Sequence, residues 1–66
     1  VRVARYAEAL PILAVLINAL PDDMDCNRLL GFCYIQLGDK QRGLPYLEKA
    51  ATMGDNNAAT LLERYK

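Results

Sequence analysis

Arg28-Leu29-Leu30-Gly31-Phe32-Cys33-Tyr34-Ile35-Gln36-Leu37-Gly38-Asp39 is the stretch whose reading decides the fold. At roughly 100° of turn per residue, Leu30, Cys33 and Leu37, with Cys26 before them, fall on one side of a helix. Phe32 and Ile35 fall on the other. A helix that is apolar on two sides expects neighbours on both. Gly38 ends it as a left-handed residue, and Asp39 is placed to cap the next helix.

Working outward, the chain divides into four helical segments, near 4–20, 24–37, 40–53 and 56–65. In the first, residues 1–20, Arg2, Arg5 and Glu8 supply the polar side, and Ala4 to Ala9 favour helix. Pro11 is expected to kink it or mark a late start, and Pro21 stops it. Ala9, Leu13, Leu16, Ile17 and Leu20 form its main apolar face, with Ala14 and Val15 elsewhere. Pro21-Asp22-Asp23 is a turn, with Asp22 or Asp23 as the cap of the second helix and Asp25 in its first turn, where negative charge suits the helix dipole. The third helix buries Gly43, Leu47, Ala50 and Ala51, flanked by Tyr46 and Met53, and turns Arg42, Glu48, Lys49 and Thr52 to water. Gly54 ends it, and Asp55 caps a last helix with Ala58, Ala59, Leu61, Leu62 and Tyr65 apolar. Turns this short make successive helices antiparallel. No segment shows the alternation of a strand.

A repeat underlies the pattern. A shift of 34 residues lays Leu10-Pro11-Ile12-Leu13 on Leu44-Pro45-Tyr46-Leu47, Ala9 on Gly43, and the Pro21-Asp22-Asp23 turn on Asp55-Asn56-Asn57, so the caps are expected in phase. Gly31 on one helix, with Gly43 and Ala50 on the next, would let two helices approach closely. These residues resemble the tetratricopeptide repeat family. Leu30-Gly31 and Tyr34 fill the positions of its first helix, Gly38-Asp39 is its inter-helix turn, and Gly43, Leu47 and Ala50 fill those of its second. Glu8-Ala9, Leu13 and Pro21 look like the second helix of a preceding repeat. Asn27 stands where the family has an early Trp, and Asp55 where it has a terminal Pro. The run Leu47-Glu48-Lys49-Ala50-Ala51 through Gly54-Asp55 to Ala58 also resembles Sel1-like repeats, but the 34-residue phase favours the tetratricopeptide pattern.

The resemblance implies an all-α array of antiparallel helix-turn-helix repeats, a fragment of an α-solenoid. Residues 1–66 form a single domain: half a repeat over 1–20, a full repeat over 24–54, and a capping helix or the start of a further repeat over 55–66. In the family the first helix of each repeat lines a concave binding surface. Carried over, that names Asp25, Arg28, Phe32, Ile35 and Gln36 as partner-binding residues, with Arg28, Phe32 and Ile35 sharing one face. Members that grip C-terminal carboxylates use a basic residue and an Asn one turn apart. Here Arg28 is followed one turn on by Phe32, which points to an apolar anchor pocket instead.

The expected function is a protein-interaction module that holds a polypeptide in a helical groove or completes an assembly. The alternative is a small tetratricopeptide-type chaperone or obligate subunit of a bacterial secretion complex, by fold analogy. Ala14 and Val15 stand where the third helix has Glu48 and Lys49, so the first helix is apolar where its counterpart is solvated. Ile12, Ala14, Val15 and Ala19 are therefore expected at an interface, with a missing upstream helix or with a second copy of the chain related by two-fold symmetry.

Other functions lack their chemistry. The chain has no Ser, His or Trp, and no Gly-rich phosphate loop, so no Ser-His-Asp or Cys-His arrangement can form and no enzyme activity or cofactor is expected. Asp22, Asp23 and Asp25 lack the glycine and distal Glu of a calcium loop, and no metal is expected. Zero net charge with no basic stripe argues against nucleic acid, and the absence of a 20-residue apolar run argues against membrane insertion. Cys26 and Cys33, two turns apart on one helix, are too distant at roughly 10 Å to pair. Two reduced core cysteines suit a cytoplasmic protein. A hydrophobic fraction of 53% in 66 residues exceeds what so small a core can cover, so part of it is expected to meet another chain.

Overall fold

A computed structural model describes residues 2–66, with side chains from Arg5 onward. Val1 and the side chains of Arg2 and Ala4, assigned from the sequence to the first helix, lie outside the described residues. Four helices succeed one another: α1 Arg2–Ala19, α2 Met24–Gln36, α3 Lys40–Thr52 and α4 Asn56–Tyr65. No strand occurs among the described residues. Each helix packs on the next, and α2 also reaches α4.

The boundaries follow from local chemistry. Asp23 accepts the Cys26 N–H at 2.9 Å, Asp39 that of Arg42 at 3.2 Å, and Asp55 those of Asn57 and Ala58 at 3.0 and 3.2 Å, so each helix after the first opens on an aspartate cap. Gly38 and Gly54, at φ 88° and 105°, close α2 and α3. The next N–H groups, those of Asp39 and Asp55, return to the carbonyls of Tyr34 and Ala50, the Schellman arrangement that satisfies the last turn.

Two expectations change. Pro11 neither breaks α1 nor delays its start, and Pro45 likewise lies inside α3. Both prolines are exposed, as are Ala7 and Gln41, whose carbonyls a proline four residues on cannot bond. The caps are also not in the 34-residue phase. Asp23 caps α2 and Asp55 caps α4, 32 residues apart, because the α1–α2 turn is longer than the α3–α4 turn.

The core sits on both sides of α2. Toward α1, Leu13, Leu30 and Cys33 are buried, with Tyr6, Ala9, Leu10, Ile17, Tyr34 and Tyr46 packed around them. Toward α3 and α4, Leu47, Ala50 and Ala58 are fully buried beneath Ile35, Ala51, Leu61 and Leu62. Gly31 and Gly43 bring the two backbones together: a Cβ on Gly31 would lie 2.8 Å from the Gly43 carbonyl oxygen, and one on Gly43 would lie 2.5 Å from that of Gly31. Neither obstacle is a movable side chain, so any larger residue would force α2 and α3 apart. Their meeting across the Gly38 turn makes the two helices antiparallel.

Polar ties hold the turns. Asn27, fully buried, donates from Nδ2 to the carbonyls of Pro21 and Asp23 at 3.2 and 2.7 Å, while its Oδ1 has no partner among the described residues. Lys49, exposed as expected, also reaches the Pro21 carbonyl at 2.7 Å and Asp22 at 3.3 Å. Its long stem lets one side chain be exposed and tied at once.

Candidate functional site

A groove lies between α1 and α2. Arg5, Tyr6, Ala9, Ile12 and Leu13 line it from α1, and Leu29, Phe32 and Cys33 from α2, around a groove of about 430 Å³. It forms because both helices present apolar residues on the side away from α3. Leu13 and Cys33 make its buried floor, while Ile12 (64% exposed) and Leu29 (44% exposed) stand at its edge. Phe32 meets Tyr6 edge-on, with ring centroids 5.6 Å apart. Burial pushes the Cys33 thiol up from its ordinary value, so it is an apolar wall and not a nucleophile. Arg5 is the one charged residue of the lining.

Beyond the groove the apolar surface continues along α1. Val15 (69% exposed), Leu16 and Leu20 are open, as is Ala19, while Ala14 is half-buried. Thus Ile12, Val15 and Ala19 of the expected interface are uncovered in the single chain. Leu16 and Leu20, expected on the main apolar face with Leu13, join them and not the core.

The five residues singled out on α2 do not form one site. Phe32 alone lines the groove. Ile35 lies on the other flank, over the Leu47–Ala50–Ala58 cluster and against Gly43. Arg28 donates to Asp55 at 2.6 Å and pairs with Asp25 at 3.0 Å. Gln36 donates to the Tyr65 hydroxyl at 3.1 Å. Asp25, Arg28 and Gln36 therefore mark the border between α2 and α4. Arg28, Phe32 and Ile35 share one arc of α2 by their spacing, and neighbouring helices divide that arc between them.

The Arg28–Asp55 pair is largely buried, with the Asp55 side chain only 4% exposed. Burial alone would push the Asp55 carboxyl up. The Ala58 N–H, the Arg28 guanidinium with its charge, and the Asn57 N–H outweigh that and hold it below the usual carboxylate range. Asp55 in turn raises Arg28. One carboxylate thus caps α4 and ties it to α2.

Among the described residues no group of His, Cys, Asp or Glu is arranged to hold a metal ion, and no helix is long and apolar enough to cross a membrane. What the geometry offers is an apolar groove with an open rim, which can receive a side chain or a helix.

No family model matches the chain, and no solved structure matches it. It is similar to a BBSome complex member BBS4 homolog of Drosophila melanogaster, with 39% identity over 49 residues. That match covers 74% of this chain and 10% of that protein, so the chain corresponds to about a tenth of the relative's length. The four-helix fold, packed in sequence, and this partial likeness are both consistent with a tetratricopeptide-like repeat.

Proposed function

We propose that the chain is a segment of a tetratricopeptide-type scaffold whose work is to hold another polypeptide. Residues 1–20 are its half repeat, 24–54 its full repeat, and 55–66 a cap or the opening of the next. The observation that carries this reading is the apolar groove between α1 and α2, continuous with the exposed Val15, Leu16 and Leu20. A contiguous apolar surface of this kind marks an interface in a soluble domain. The relative, named for its membership of a protein complex, supports an assembly role. Phe32 is the anchor of the groove, Ile12, Ala14, Val15 and Ala19 extend the contact along α1, and Asp25, Arg28 and Gln36 give the α2–α4 side a polar border.

The test compares the unmutated chain, immobilised, with Phe32→Ala and Ile12→Asp variants whose helical signal is unchanged. A partner held by the groove should lose about 2 kcal/mol or more of binding with Phe32→Ala, the size of a hot spot. A set of retained proteins identical for all three chains would refute the reading. Loss of helix with Phe32→Ala would make that residue part of the core, and Ile12→Asp, at an exposed position, then decides.

A further inference from the structure

Along α1, Arg5, Glu8, Ile12, Val15 and Ala19 are all exposed. Their spacing alternates three and four residues, so they form one stripe down the helix. Leu13, which belongs to the core beside α2, lies off that stripe. The stripe is graded. Arg5 stands toward one end, and Ile12 and Val15, 64% and 69% exposed, form the middle. Past the other end the turn and the start of α2 carry Asp22 and Asp25, with side chains 89% and 70% exposed.

The same stripe on α3 does different work. Tyr46 and Lys49 stand 34 residues after Ile12 and Val15. Tyr46 stacks on Tyr34, with ring centroids 5.9 Å apart, and Lys49 holds Pro21 and Asp22 in the turn after α1. Two aliphatic residues on α1 can make neither the ring contact nor the ionic one. What they offer is a purely apolar patch between a cation and a group of carboxylates.

The charges choose a direction. Against a parallel copy of the chain, Arg5 would meet Arg5 and acidic turn would meet acidic turn. Against an antiparallel copy each end meets its opposite. The register follows from the spacing as well. Ile12 and Val15 are equidistant from a point between Leu13 and Ala14, and so are Arg5 and Asp22. A two-fold axis at that point sets Ile12 against the partner's Val15, Glu8 beside the partner's Ala19, and Arg5 level with the partner's Asp22. The small Ala19 leaves room for the Glu8 stem to carry its carboxylate out to water.

We propose that α1 pairs with α1 of a second copy of the chain, antiparallel and two-fold symmetric, with Ile12 packed on the partner's Val15 and Arg5 facing the partner's Asp22. This rests on the reading of α1 as a contact face and names its partner. It is not a further step of the repeat. Lys49, near the end of α3, reaches Pro21 just past the end of α1, so helices one repeat apart run parallel. The contact is small: one helix on one helix over about 25 Å lies at the low end of specific interfaces. The pair therefore forms at roughly millimolar concentration and comes apart at the micromolar concentration of a denaturant melt.

Sedimentation equilibrium of the 66-residue chain, from about 5 µM to about 1 mM, is the test. A monomer–dimer equilibrium is expected. Val15→Lys should weaken it at least tenfold, since the charge falls in the middle of the patch. Arg5→Glu alone and Asp22→Arg alone should each weaken it about threefold, because symmetry repeats one exposed ion pair at both ends. The two together should restore pairing to within about twofold of the unmutated chain. Circular dichroism checks that each variant keeps its helices. A chain still monomeric at about 1 mM overturns the proposal, as does a dimer that Val15→Lys leaves intact. A double charge variant no tighter than the single ones also overturns it, since the copies would then meet in another direction or register. If Val15→Lys loses helix, the charge variants decide, both positions being exposed. A monomeric chain that still retains a Phe32-dependent partner leaves the interaction module standing and removes only this pairing.

Discussion

At the α3–α4 end a helix lies in the slot between its neighbours. There Leu47, Ala50 and Ala58 are fully buried, and even a charged pair is withdrawn from water. At the α1 end the groove is open, and Ile12, Val15, Leu16 and Leu20 face solvent. The two ends are built from related sequence, so the difference is one of partners and not of intrinsic propensity. A repeat helix needs neighbours on both flanks, and α1 has a neighbour on one. The stability of the chain is therefore concentrated around α2, α3 and α4, and its uncovered apolar surface at α1.

The sharpest way to break that comparison is truncation of one aliphatic residue at each end, at positions of opposite exposure. Leu47→Ala empties a fully buried site and should destabilise by about 2–5 kcal/mol. Val15→Ala removes two methyl groups already in water and should stay within about 0.5 kcal/mol. Urea melts of both variants check this. Comparable losses would mean that the α1 face is already covered in solution.

Much of this was legible in the chain. Aspartates after short turns are caps wherever they occur, so Asp39 and Asp55 could be assigned by eye, and Gly31 with Gly43 announced a close contact because neither suits an isolated helix. What one helix cannot reveal is which neighbour claims each arc. Ile35 and Phe32 are three positions apart, yet one belongs to the α3–α4 cluster and the other to the groove. Arg28 was readable as a charge on a binding face, but its partner Asp55 lies 27 residues away, and no local pattern gives that distance. The two-residue difference between cap and repeat offsets was hidden because the repeat was aligned on Leu-Pro, inside the helices, while the difference arises at the end of α1 and in the turn after it.

A second test works on the Arg28–Asp55 tie. The folded carboxyl of Asp55 titrates below its unfolded value. Its contribution is therefore complete above the ordinary carboxylate range, and is lost as pH falls through the lower folded value. Asp55→Asn can still accept the cap bonds of α4, but it leaves Arg28 with only the exposed Asp25. It should cost about 1–3 kcal/mol near neutrality, the range for removing one partner of a buried polar pair. The gap between variant and unmutated chain should close on acidification below about pH 4. Denaturation at neutral and acid pH measures it. A gap that does not change with pH would show that the folded chain does not hold the Asp55 carboxyl below its unfolded value.

The smallest effect is expected where the same device is built in solvent. Lys49 does for the α1–α2 turn what Arg28 does for the turn at Asp55: a cation from a neighbouring helix clasps the turn, here through the Pro21 carbonyl and Asp22. The Asp22 side chain is 89% exposed and that of Lys49 45%, so water competes for every bond and ions screen the charge. Exposed pairs of this kind are worth about 0–1 kcal/mol. Lys49→Met keeps most of the stem and removes the charge, and should lower global stability by less than about 1 kcal/mol. The change belongs instead to the turn, where Asn27 still holds the carbonyls of Pro21 and Asp23 from within. Hydrogen exchange of the Asp23 amide, which donates to Leu20, should speed up in Lys49→Met more than that of amides in the middle of α3. Salt near 1 M, where the screening length is about 3 Å, should remove the Asp22 share of that difference. If Lys49→Met instead melts the chain as severely as Asp55→Asn, the two ends are held equally firmly, and α1 is as much a part of the stable core as α4.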